Sequence, residues 1–147
     1  MDTIDIIPIW GEKVVLKLRP CWDAAWQAFV PGSFNAEIAV NTDSISATFS
    51  TLLRIGELSH FRDELWRLYQ VIAGDMECAT PSLTIQLEFT DNLGHLHWTI
   101  SYRNNPGIAI DFYSDQTDIL PTIEHLDRFL AEETKRHNVK HRKQKSG

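Results

Sequence analysis

Apolar and polar residues alternate through much of this chain, and the alternation is interrupted twice by a helical period. Val14, Leu16 and Leu18 alternate with Val15, Lys17 and Arg19, which predicts a strand ending at Pro20. An irregular strand over 4–10 can pair with it. Phe34, Ala36, Ile38 and Val40 alternate with Asn35, Glu37, Ala39 and Asn41. A turn at Asn41-Thr42-Asp43 leads into a second run, Ile45, Ala47, Phe49, Thr51 and Leu53, so 34–53 reads as a hairpin. The period then changes. Leu58, Phe61, Leu65, Leu68, Tyr69 and Ile72 recur at offsets of three and four, one stripe of a helix, with Gly74 placed for a left-handed cap.

Period two returns with Leu83, Ile85, Leu87 and Phe89, and again with Leu96, Trp98, Ile100 and Tyr102. Asp91-Asn92-Leu93-Gly94 supplies the turn between them. Asn104-Asn105-Pro106-Gly107 turns the chain into a further strand face, Ile108, Ile110 and Phe112. A second helix starts near Thr117-Asp118, tolerates Pro121 in its first turn, and turns Ile119, Ile123, Leu126 and Leu130 inward. Short turns require antiparallel pairing, and one apolar face per strand implies a sheet covered on one side. The expected fold is therefore α+β: an antiparallel sheet of about five to seven strands with two helices packed on one face. There are no internal sequence repeats. Residues 1–133 read as a single domain and 134–147 as a basic, disordered tail.

One segment resists both periods. In CWDAAWQAFVPG, Trp22, Trp26 and Phe29 share a face if the stretch is helical, and Pro31-Gly32 reads as a turn. Those aromatics either close one end of the core or anchor a protein partner, with Asp23 and Glu37 as a charged rim. The polar sheet face carrying Glu37, Glu88, His95, His97 and Asp111 is the other candidate surface. The candidate partner-binding residues are thus Trp22, Asp23, Trp26, Glu37, Glu88 and Asp111.

Charge sharpens the picture of the partner. The formal net charge is −6, but all 20 acids lie at or before Glu133, while six of the 14 basic residues lie beyond it. The body alone has a net charge of about −12. An acidic body disfavours nucleic acid and favours a basic partner through steering. The basic tail offers a weaker RNA contact or a fold-back onto the body. A chain of 147 residues with 43% apolar content closes a core without staples. Cys21 and Cys78 are expected to be free, mostly buried thiols of a reducing compartment. The acidic N-terminus does not resemble a secretory signal, and no apolar run approaches membrane length, so a cytoplasmic location is expected.

Catalytic chemistry is sparse. His95 and His97 share a strand face at a spacing that can begin a zinc site, with Glu88 or Asp111 as further ligands. Without a Cys or another His motif they read as solvated histidines, and no metal is expected. Ser59, His60 and Asp63 lie on one helix, which does not orient a relay. The glycines at 56, 74, 94 and 107 are isolated, so no phosphate loop exists. Neither an enzyme nor a cofactor is expected.

The ordered set of segments resembles a known family. Trp22-Asp23-Ala24-Ala25-Trp26 precedes strands 34–40 and 45–53. Phe61-Arg62-Asp63-Glu64-Leu65 follows in the helix, then Leu83 to Phe89, Gly94-His95, and Asp115-Gln116-Thr117 before the last helix. Over roughly Leu16 to Leu130 this is similar to the WapI family of bacterial immunity proteins. The tryptophan segment here is less acidic than the family's pattern, and the basic tail departs from it. The resemblance implies a protein that binds and neutralises the C-terminal domain, often a nuclease, of a secreted or cell-wall-associated, contact-dependent toxin. It implies a protein partner, no nucleic acid and no membrane, and a monomer or weak dimer. The alternative is a non-catalytic small-molecule-binding or regulatory α+β domain, which requires a partly apolar cavity between sheet and helices.

Overall fold

The computed structural model describes residues 5–9, 13–42, 46–80, 82–91, 93–103 and 108–145. The elements run β1 (Asp5–Ile9), β2 (Val14–Asp23), β3 (Ala28–Asn41), β4 (Ser46–Arg54) and α1 (Ile55–Val71). They continue with β5 (Asp75–Ala79), β6 (Leu83–Phe89), β7 (His95–Tyr102), β8 (Ile108–Asp115), a 3-10 turn over Gln116–Asp118, and α2 (Ile119–Lys145). The class is α+β, as the patterning predicts. The strand count is higher and the sheet is divided. Two four-stranded antiparallel sheets form, β1-β2-β3-β4 (sheet A) and β5-β6-β7-β8 (sheet B), each a meander in chain order. Four strands and a helix therefore occur twice in succession, a structural repeat that the residues themselves do not display.

The predicted alternation is carried into burial. Val14, Leu16 and Leu18 of β2, and Phe34, Ala36, Ile38 and Val40 of β3, are buried. So are Leu83 and Leu87 of β6, Leu96, Trp98 and Ile100 of β7, and Ile110 and Phe112 of β8. Leu58, Phe61, Leu65 and Leu68 line the inner side of α1, and Ile119, Ile123, Leu126 and Phe129 that of α2. All belong to one hydrophobic cluster. Its contacts cross between elements. Phe34 of β3 meets Phe129 of α2 edge-on with ring centres 5.5 Å apart. Phe49 of β4 lies 5.1 Å from Tyr102 of β7, joining the two sheets directly. Trp98 is fully buried, stacked on Phe112, and its indole N–H donates to Ser114 Oγ at 2.6 Å. The indole brings a large apolar area into the core without stranding its one donor.

Polar ties fix the layers. The Arg62 guanidinium on α1 donates to both Asp127 oxygens on α2, at 2.7 and 3.2 Å. Arg67 Nη2 donates to the Asp75 carbonyl at 2.8 Å, holding the end of α1 to β5. Tyr102 Oη donates to the Ser50 carbonyl at 2.9 Å, across the two sheets.

Several expectations change. β5 is a strand that the patterning does not predict: its alternation of Asp75 and Glu77 with Met76 and Cys78 spans only five residues, and only Met76 is fully buried. α1 ends at Val71, one or two residues earlier than expected, and Ile72 is its left-handed cap at φ 52°, 44% exposed and off the apolar stripe. Gly74 also has positive φ, two residues later. Pro31-Gly32 does not end an element but lies inside β3, with Gly32 at φ 72°. The backbone of 134–145 continues α2, where the composition predicts a disordered extension. No Gly or Pro lies between Pro121 and Gly147 to stop the helix. The Ile4 to Trp10 segment, Asp43, Ile45 and the 104–107 turn fall wholly or partly outside the described residues.

Gly94 tests this account of the turn between β6 and β7. Its φ is +87°, and an added Cβ would lie 2.7 Å from the Gln116 side chain. Gly94→Ala is expected to lower unfolding stability by about 1–2 kcal/mol. Gly56→Ala, with nothing near its Cβ position and an ordinary φ, is expected to leave stability unchanged or raise it slightly. Urea denaturation of both variants measures the contrast; equal losses would discard it.

Candidate functional site

The tryptophan segment is neither a helix nor part of the core. It is the end of a long β-hairpin. β4 stops at Arg54, opposite Ser33, and β1 begins opposite Leu18. Beyond those registers, among the described residues, β2 and β3 have no third strand on either side. Regular pairing runs to Pro20 opposite Phe34, breaks at a bulge, and resumes with Trp22 opposite Phe29 and Asp23 opposite Ala28. The bulge re-aims the ribbon, as bulges do, with Pro20 on one strand and Pro31-Gly32 on the other at its base. Residues 24–27 form the turn. The Asp23 carboxylate accepts the Ala25 N–H at 2.9 Å, and Gln27 takes φ 48°.

None of residues 21–28 is buried. Trp22 is 56% exposed and Trp26, in the turn, 81%. Val30, at 39%, adds to the apolar surface of the arm. The helical face predicted for Trp22, Trp26 and Phe29 does not exist; the Phe29 side chain is outside the described residues. Of the two readings of these aromatics, closure of the core fails for Trp22 and Trp26, which are exposed where a core residue would be buried.

The other candidate residues lie elsewhere. Glu37 is on the exposed face of sheet A, in register with Lys17 and Ser50. Glu88 and Asp111 are on the exposed face of sheet B. The chain therefore divides the candidates into three groups: Trp22, Asp23 and Trp26 on the arm, Glu37 on one sheet, and Glu88 with Asp111 on the other. The polar face predicted as one surface is two.

On sheet B the grouping is tight. His97 Nδ1 lies 3.2 Å from Glu88 and Nε2 3.4 Å from Asp111, while the ring stacks on Tyr113 at 5.0 Å. Thr99 Oγ1 donates to the same Asp111 at 2.9 Å. Asp75, Glu77 and Asp115 extend the acidic row through registered positions on β5 and β8. Sequence reasoning missed Asp75 and Glu77 because it missed β5. His95 turns away from this pair to Asp91, 2.6 Å from its Nδ1. Among the described residues no group of three or more His, Cys, Asp or Glu is placed to hold a metal ion.

The remaining reactive types are structurally quiet. Both cysteines are free and half-buried. Burial, then Glu64 and Glu77, push the Cys78 thiol up to about 11, and burial also raises Cys21. Neither is an activated thiolate. Asp115 caps the 3-10 turn, accepting from Thr117 Oγ1 and, at 2.8 Å, from its N–H, which lowers the Asp115 pKa. Between the sheets and α1 lies a cavity of about 260 Å³ with largely aliphatic walls.

The His95–Asp91 pair makes a pH prediction. Its hydrogen bond raises His95 above 6.5 and lowers Asp91 below 3.8. The histidine's contribution is complete below 6.5 and is lost as pH rises through its raised value. The aspartate's is present above 3.8 and is lost as pH falls through its lowered value. NMR titration of the imidazole should place His95 above the ordinary value, and Asp91→Asn should return it there. An unchanged midpoint in that variant would remove the pair.

No helix among the described residues is long and apolar enough to cross a membrane. No curated protein matches the chain. Among solved structures, it is similar to one described as crystal structures of Trypanosoma bruciei MRP1/MRP2. That match has 8% identity and a TM-score of 0.46, over 94% of this chain and 87% of that one. The family comparison is of another kind. The model of the WapI-like immunity protein family matches residues 18–133, from the last buried residue of β2, through the arm, β3, β4, α1 and sheet B, to the middle of α2. The chain belongs to the immunity protein WapI-like family.

Proposed function

We propose that this protein binds the C-terminal domain of a secreted or cell-wall-associated bacterial toxin in the cytoplasm of the producing cell, and neutralises it by stoichiometric contact. The reading is carried by family membership over 18–133. Two features of the molecule support it and suggest how contact is made. The arm presents Trp22 and Trp26 to solvent on a ribbon that has no neighbouring strand among the described residues. Large aromatics of this kind are the residues that dominate binding energy when a partner desolvates them. The outer face of sheet B presents Asp75, Glu77, Glu88, Asp111 and Asp115.

A nuclease holds phosphate with clustered Lys and Arg. An acidic face complements such a surface and speeds encounter at low salt. The toxin is on this reading a nuclease, the arm supplies the anchor, and the acidic face supplies steering. No reaction is required of the immunity protein.

Co-expression with the toxin domain encoded beside it should restore growth and yield a one-to-one complex. Trp26→Ala should weaken that complex by at least ~2 kcal/mol, about 30-fold. Its unfolding midpoint should stay within the ~0.5 kcal/mol typical of surface substitutions. Glu88→Lys combined with Asp111→Lys should slow association and flatten its salt dependence. A complex that forms with full affinity in the Trp26→Ala variant removes the arm from the interface; absence of any complex or rescue removes the immunity reading for that toxin.

A further inference from the structure

The cavity between the sheets and α1 belongs to neither proposed contact surface. Its walls come from both sheets and the helix: Leu53 from β4, Leu58 and Phe61 from α1, Cys78 from β5, Ile85 from β6 and Ile100 from β7. At about 260 Å³ it exceeds the roughly 150 Å³ that accepts a benzene ring. It falls just short of the roughly 300 Å³ at which drug-sized sites begin. The pocket opens to solvent beside the exposed Gly56, His60 and Ala79, so a ligand can enter and displace water from its apolar walls.

The few polar groups in the walls define what can enter. Glu57 accepts the Arg54 N–H at 2.9 Å, so one carboxylate oxygen is already engaged in starting α1. Thr80 exchanges its hydroxyl with the Leu83 backbone. The Cys78 thiol is held protonated by burial. A carboxylate head would meet Glu57 and a body already acidic, whereas a neutral donor can share the Glu57 oxygens or the His60 ring. We propose that the cavity is a binding site for a neutral, largely hydrocarbon molecule carrying at most one hydroxyl or N–H, of roughly eight to twelve non-hydrogen atoms. Because the walls span both sheets, the ligand stabilises their packing by linkage.

Methyl NMR of the intact chain titrated with 1-octanol tests the site, with octanoate as the charged counterpart. Saturable shifts are expected at Leu53, Leu58, Ile85 and Ile100, with octanoate at least ten-fold weaker. Filling the wall with Cys78→Phe or, separately, Ile85→Phe should abolish them. In a Cys21→Ser chain, saturating octanol should slow alkylation of Cys78 by iodoacetamide at least five-fold. Absence of saturable shifts, equal binding of octanoate, or unchanged alkylation would overturn the site. None of these outcomes bears on toxin binding.

Discussion

A meander of short antiparallel strands is apolar on one face, and four such strands cannot bury that face alone. That constraint governs the molecule. Each sheet needs a cover, and the chain supplies it by placing the inner faces of both sheets and the inner stripes of both helices in one cluster. The contact of Phe49 with Tyr102 and the packing of Phe34 on Phe129 are where sheet meets sheet and sheet meets helix. Hydrophobic burial is non-directional, so the layers also need the polar ties. The Arg62–Asp127 pair and the Tyr102 bond to Ser50 specify how the layers sit.

The proposed contact surfaces follow from where the shared core ends. Within the sheets, alternation sends every second residue outward, which is why the acids of β5, β6 and β8 form rows on one face. Beyond the sheets, β2 and β3 continue after their neighbours have stopped. There the same alternation has no interior to point into, and both tryptophans remain in solvent. The cavity arises from the same arrangement, at the place where three separately built walls converge and hydrocarbon does not fill the space between them.

Sequence and structure agree wherever a segment has one buried face and regular spacing. Leu96, Trp98 and Ile100, or Leu58, Phe61 and Leu65, are legible because burial imposes its period on them. They part where that link is weak. β5 is five residues long and fully buries only Met76, so the alternation in DMECA is too short to stand out. In the arm, offsets of three and four between Trp22, Trp26 and Phe29 imitate a helix because nothing selects for alternation on a ribbon exposed on both sides. Pro31-Gly32 is a turn signal in most settings, yet the bulge absorbs it. Ile72 in a left-handed conformation is an uncommon choice, and the glycine two residues on draws attention from it. The tail carries helix-compatible residues whose charge alone suggests disorder.

The candidate site was legible as residue types and illegible as a place. The sequence by itself determined the α+β class, the antiparallel pairing, most of the core and the acidic character of the body, since each depends on local period, turn chemistry or a count of charges. Its ordered segments also carried the family. Only the tertiary structure decided that the strands divide into two sheets, that Glu37 parts from Glu88 and Asp111, and that Trp22 and Trp26 project on an arm. Strand partners and strand ends are set by contacts between residues far apart in the chain. A periodicity of two says which way a side chain points, but not whether another strand lies beside it.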